Sequence, residues 1–101
     1  YIHVIIIIMI MGICTLEIFI YGASSLKDKR TILKSIIEKS KNKFNISIAE
    51  VSENNKWQKS VIGFTTVSND KKVVDRTLEK VINFIDNFEE IEILNIEKEI
   101  L

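Results

Sequence analysis

The run "NISIAEVSENNKWQKSVIGFTTVS", Asn45 to Ser68, decides the fold. "NISIAEVS" (Asn45 to Ser52) and Gln58 to Ser68 are both rich in β-branched residues, and only "ENNK", Glu53 to Lys56, with Trp57 stands between them. Two strands joined by so short a turn must pair as an antiparallel hairpin. Outward from the hairpin the periodicity changes on both sides. Leu26, Leu33, Ile36, Ile37 and Phe44 recur at helical spacing before it, and Val74, Leu78, Val81, Ile82 and Ile85 after it. Beyond the helices lie a strand from Ile13 to Tyr21, alternating around Thr15 and Glu17, and a last strand from Ile91 to Leu101. The order β-α-β-β-α-β predicts an α+β ferredoxin-like sandwich, a four-stranded antiparallel sheet with two helices on one face. The other sheet face is left bare.

Residues 11–101 read as a single domain, and residues 1–10 as an apolar extension or the start of the first strand. A membrane-spanning helix needs about 20 apolar residues, whereas the uncharged run ends at Glu17. No basic residue precedes that run as in a secretory signal. One cysteine, Cys14, allows no internal disulfide and fits a reducing compartment. The expectation is a cytoplasmic protein without membrane contact.

Fourteen basic and fourteen acidic side chains cancel, so net charge makes no case for nucleic acid. Their distribution is uneven. From Ser24 to Phe44 seven basic residues face two acidic ones, a net of +5; from Phe84 to Leu101 six acidic residues face one lysine, a net of −5. Ser25 with Asp28 makes a capping box, yet Lys27, Lys29 and Arg30 crowd the helix end that already carries positive charge. With the first and third strands taken as parallel neighbours, both helices start at one edge. Ser25, Lys27, Lys29 and Arg30 are then expected beside Ser68, Asn69, Lys71 and Lys72 as an anion site. Lys27, Arg30, Lys34 and Lys41 share a stripe that is either a solvated face or an anion surface, whereas Lys29 falls in the apolar arc and calls for Glu17 or Glu50 as partner.

The same topology places Trp57 near the end of the first helix, either plugging the core against Phe44 or anchoring an interface. Phe19 and Tyr21 join Ile13, Thr15 and Glu17 on the bare face. RNA-recognition motifs stack bases on such a face, but "VIGFTTV" (Val61 to Val67) supplies no second aromatic pair there. Nothing points to catalysis. The one histidine, His3, lies in the extension, no Cys/His cluster has metal spacing, and the three glycines are isolated, so no cofactor, metal or catalytic residue is expected.

"SLKDKRTILKSI", "FNISIAEV", "WQKSVIGF", "VSND" and the terminal "EKEIL" together resemble the YlxP-like family of small bacterial proteins, domain of unknown function 503. The resemblance covers Met9 or Met11 through Leu101. It implies a ferredoxin-like fold and carries over no catalytic residue. It also implies gene neighbours that encode translation initiation and ribosome maturation factors. The resulting expectation is a non-enzymatic accessory protein of translation or ribosome assembly, touching ribosomal RNA or ribosomal particles through its basic first helix. The alternative is a homodimeric interaction module using the bare sheet face.

Overall fold

The alternation around Thr15 and Glu17 forms β1 (Ile10–Ile20), the strand on which the sheet is built. In the computed structural model, which describes residues 8–101, it is followed by α1 (Leu26–Lys43), β2 (Ser47–Ser52), β3 (Lys59–Ser68), α2 (Lys71–Asp86) and β4 (Ile91–Ile100). The expectations for His3 and the rest of residues 1–7 lie outside the described residues. β1 begins three residues earlier than its alternation suggests, because Ile10 and Met11 continue the ladder opposite Ser68 and Val67.

The sheet order is β2-β3-β1-β4 and every neighbouring pair is antiparallel. Cys14, Leu16, Ile18 and Ile20 of β1 and Ser60, Ile62, Phe64 and Thr66 of β3 point at the helices and are buried, while Ile13, Thr15, Glu17 and Phe19 are half-exposed on the other face. Phe64 therefore belongs to the core. α1 packs over β2, and α2 over β1, β3 and β4.

The antiparallel pairing of β1 with β3 corrects the parallel arrangement read from the sequence. A crossover makes β2 parallel to β1, and the hairpin then reverses β3. Ile10 faces Ser68 and Phe19 faces Lys59, so the two helices start at opposite ends of the sheet. Their N-termini are separated by the length of β1, about 33 Å at the usual strand rise.

β1 and α2 approach closely at Gly12, where a Cβ would stand 2.6 Å from Val74 Cγ1 and 3.0 Å from Leu78 Cδ1. Valine has no rotamer freedom to yield there. Gly12→Val is expected to cost about 1–3 kcal/mol or more by overpacking, read as a lower urea midpoint at unchanged slope. Burial also pushes the Cys14 thiol up, to about 11. Native protein at pH 8 should resist iodoacetamide and react only on unfolding. Because the folded value is raised, the neutral thiol's contribution to stability is present below the ordinary value of 9.0 and is lost as pH climbs toward 11.

Candidate functional site

Three side chains build the start of α1. Ser25 caps it by accepting the Asp28 N–H at 3.1 Å, and Asp28 reaches back to the Ser24 hydroxyl at 2.7 Å and the Ser24 N–H at 3.2 Å. The Ser24 hydroxyl bond is the main reason the Asp28 carboxyl is held below its ordinary value, with the Lys27 charge a lesser one. The helix thus supplies its own anion at its positive end.

Lys29 is 1% exposed. Its ammonium lies 2.8 Å from Glu50 Oε2, donates to the Glu53 carbonyl at 2.6 Å and donates to the Lys56 carbonyl as well. Glu50 is in turn fixed by the Ser60 hydroxyl at 2.6 Å and by Asn54 Nδ2 at 3.3 Å. All three ammonium protons are used, so Lys29 leaves the set of anion-binding candidates. Of the two partners the apolar arc suggests, Glu50 is the one found. β2 delivers it because Glu50 pairs with Ile62, a residue on the helix-facing side of β3. Glu17 instead pairs with Lys59 at 3.5 Å on the bare face. Composition gave no signal for the two carbonyls, which come from the turn holding Glu53 at φ 64°, a left-handed conformation unusual for glutamate.

Lys27, Arg30, Lys34 and Lys41 are exposed on α1, and none has a carboxylate partner among the described residues. Lys39 and Lys43 turn toward α2 and lie over Phe88 and Phe84. Ser68 and Asn69 do not join this surface. They sit at the start of α2, at the far end of the sheet, with Lys71 and Lys72. There Asp70 rather than Asn69 is the cap, accepting from Lys72 N–H at 2.9 Å, and the Ser68 hydroxyl accepts the Asp70 N–H at 3.2 Å. The expected convergence of two helix starts is absent for the same reason that β1 and β3 are antiparallel.

Trp57 also changes place. The Ile20 N–H donates to the Gln58 carbonyl at 2.8 Å, so Trp57 lies at the end of the sheet where α1 begins, not where it ends. It is 46% exposed and does not plug the core. Phe44 is met instead by Phe84, with ring centroids 5.5 Å apart at 77°. Continuing the β1–β3 register by two residues sets Tyr21 opposite Trp57. Tyr21 is 57% exposed and meets Phe19 edge-on at 5.1 Å. No group of acidic, histidine or cysteine side chains able to hold a metal occurs among the described residues, and no helix there is long and apolar enough to cross a membrane.

Strand order, crossovers and a single helical layer define a ferredoxin-like α+β protein. The chain belongs to the family described as "Protein of unknown function (DUF503)", matched over residues 11–98. It is 42% identical over 82 residues to "Uncharacterized protein YlxP" of Bacillus subtilis (strain 168), covering 81% of this chain and 89% of that one. The YlxP-like resemblance seen in the sequence segments is therefore a family membership. Among solved structures it is similar to "De novo designed protein Foldit4", 15% identical with a TM-score of 0.46, covering 90% of this chain and 93% of that one. A crystal structure of AtUAH in complex with (S)-hydroxyglycine is 11% identical with a TM-score of 0.43, over 90% of this chain and 28% of that one.

Proposed function

We propose that the protein is a non-enzymatic accessory factor of translation or ribosome assembly that grips RNA phosphates with the exposed flank of α1. The observation that carries this reading is the contrast within one helix. Lys29 is buried and fully paired, while Lys27, Arg30, Lys34 and Lys41 stand in solvent with no internal carboxylate. Elsewhere Lys56, Lys59 and Lys98 pair with Glu53, Glu17 and Glu79. Lys71, Lys72, Arg76 and Lys80 on α2, like the flank, have no carboxylate within 4.0 Å among the described residues. The flank differs from them in lining one face of a single helix. Cations arrayed at helical spacing position a phosphate backbone without reading its sequence. The gene neighbourhood that goes with the family resemblance favours ribosomal RNA as that backbone and the cytoplasm as the setting.

Sedimentation of the tagged protein from a low-salt lysate tests this, with Lys27→Glu/Arg30→Glu alongside. The expected result is parent protein travelling with ribosomal particles and variant at the top of the gradient. Both at the top would remove the ribosomal reading.

The bare sheet face supports a second reading, a homodimeric interaction module. Ile13, Ala49, Val51, Gly63 and Thr65 line a shallow groove of about 410 Å³ there. A dimer held by that face would persist in moderate salt, and light scattering of the pure protein across a salt series would reveal it.

A further inference from the structure

The sheet face that neither helix covers has a chemistry of its own, and the strand registers lay it out. Phe19 lies between Glu92 on β4 and Lys59 on β3, and further along β1 Thr15 has Glu97 beside it and Ile13 has Glu99. The bond from the Ile20 N–H to the Gln58 carbonyl carries the β1–β3 ladder past Phe19, which adds Tyr21 and Trp57 to the end of this face. Both rings are exposed, and Tyr21 meets Phe19 edge-on. Adjoining exposed rings on a small domain mark an interaction surface, where a single one would not.

That surface has an acidic border. Glu92, Glu97 and Glu99 are exposed, and none has a lysine or arginine within 4.0 Å among the described residues. Glu17, by contrast, is answered by Lys59. Partial burial, and after it the Glu92 charge, hold the Tyr21 phenol above its ordinary value. One free carboxylate thus stands beside two of the three rings. β4 is also the outermost strand on its side of the sheet, and Glu97 and Glu99 repeat at the two-residue period of an extended chain. Like charges set opposite one another on paired strands are unfavourable, so this edge repels a second copy of itself. It repels a polyanion for the same reason and attracts a cationic chain.

We propose that this face docks an extended basic polypeptide segment. One of the segment's arginines or lysines lies over Tyr21 and Trp57 next to Glu92, and others at alternate positions pair with Glu97 and Glu99. A cation is attracted to the face of a tyrosine or tryptophan ring. Arginine in particular stacks on a ring while its planar fork bonds a carboxylate, and Tyr21 with Glu92 offers both. The rings and glutamates belong to the uncovered face, whereas Lys27, Arg30, Lys34 and Lys41 belong to α1. Peptide docking on the one and phosphate binding on the other are separate properties.

Trp57 is the chain's one tryptophan, so its emission reports on this face alone. The whole chain is titrated with a short peptide of alternating arginine and threonine, with its glutamate–threonine counterpart and with oligoadenylate. Labelled peptides are followed by anisotropy in parallel. The arginine peptide is expected to bind and shift the emission, and the glutamate peptide to do neither. Trp57→Ala and Glu92→Gln, both at exposed positions, are each expected to weaken binding about fivefold, and Trp57→Phe to recover most of the loss. At about 0.15 M salt, where distant exposed charges are screened, Lys27→Glu/Arg30→Glu is expected to leave binding as it was. Failure of the arginine peptide to bind, or binding indifferent to Trp57→Ala and Glu92→Gln, would overturn the proposal. So would tightening by the α1 variant alone, the mark of general attraction to an acidic protein. Quenching by oligoadenylate would assign the face to nucleic acid, and an emission shift on concentrating the protein alone to a contact between copies. Either result would overturn the proposal.

Discussion

Glu50→Ala is expected to lower the unfolding free energy by about 3–5 kcal/mol, because it strands a buried ammonium. Lys29 is 1% exposed and would keep only two carbonyl acceptors. Small domains have about 5–15 kcal/mol of stability in all, so this variant sits near the edge of folding. Lys29→Met is the informative partner. It removes the charge and keeps the volume, leaving Glu50 partly exposed and still bonded to Ser60 and Asn54. Its expected cost is about 1–3 kcal/mol, from the unpaired carbonyls of Glu53 and Lys56. The double variant should cost less than the two singles summed, since each single loss counts the same pair. Urea unfolding with a common slope measures all three. A Glu50→Ala cost below about 1 kcal/mol would mean that the ammonium reaches water and that the turn is not held as described.

The sequence was most legible where one periodicity ruled. Cys14, Leu16, Ile18 and Ile20 alternate with Ile13, Thr15, Glu17 and Phe19, and the structure keeps that division of faces. Lys29 was legible as a misfit, because a lysine inside an apolar arc needs an acid and Glu50 was within the short list. Handedness and direction were harder. The relation of β1 to β3 is set by counting reversals through a crossover and a hairpin, not by any residue near either strand. Taking them as parallel moved Trp57 to the wrong end and brought Ser68 and Asn69 to a site they never reach. The acceptors of Lys29 were beyond sequence reasoning for another reason. Two are backbone carbonyls, available at every residue, and only the left-handed turn at Glu53 aims them inward. The bulges had the same character, as in the β1–β4 register shift between Glu17 and Ile18, where no glycine or proline marks the place.

For RNA binding, salt is the decisive variable, and the expected result is a log–log slope of about −2. Each phosphate of a single strand neutralised contributes about −0.7. Three of the flank's four exposed cations, Lys27, Arg30 and Lys34, cluster toward the start of α1 and are counted as the contacts, Lys41 standing about two turns further along. A fourfold rise in salt would then weaken binding by roughly tenfold to twentyfold. Lys27→Glu/Arg30→Glu leaves only Lys34 of the three and should flatten the slope toward −0.7 along with a large loss of affinity. That loss could not be blamed on unfolding. Both positions are exposed and make no ion pair within 4.0 Å. The gain of about 0.3–1 kcal/mol from acidic residues in a first turn offsets the repulsion they meet from Asp28, so the variant's stability should stay close to the parent's. Lys29→Met provides the opposite control, with lower stability and an unchanged slope, because its charge is already neutralised by Glu50. If Lys29→Met flattened the slope instead, the ammonium would be meeting phosphate. The separation between a structural lysine and its two binding neighbours would then fail.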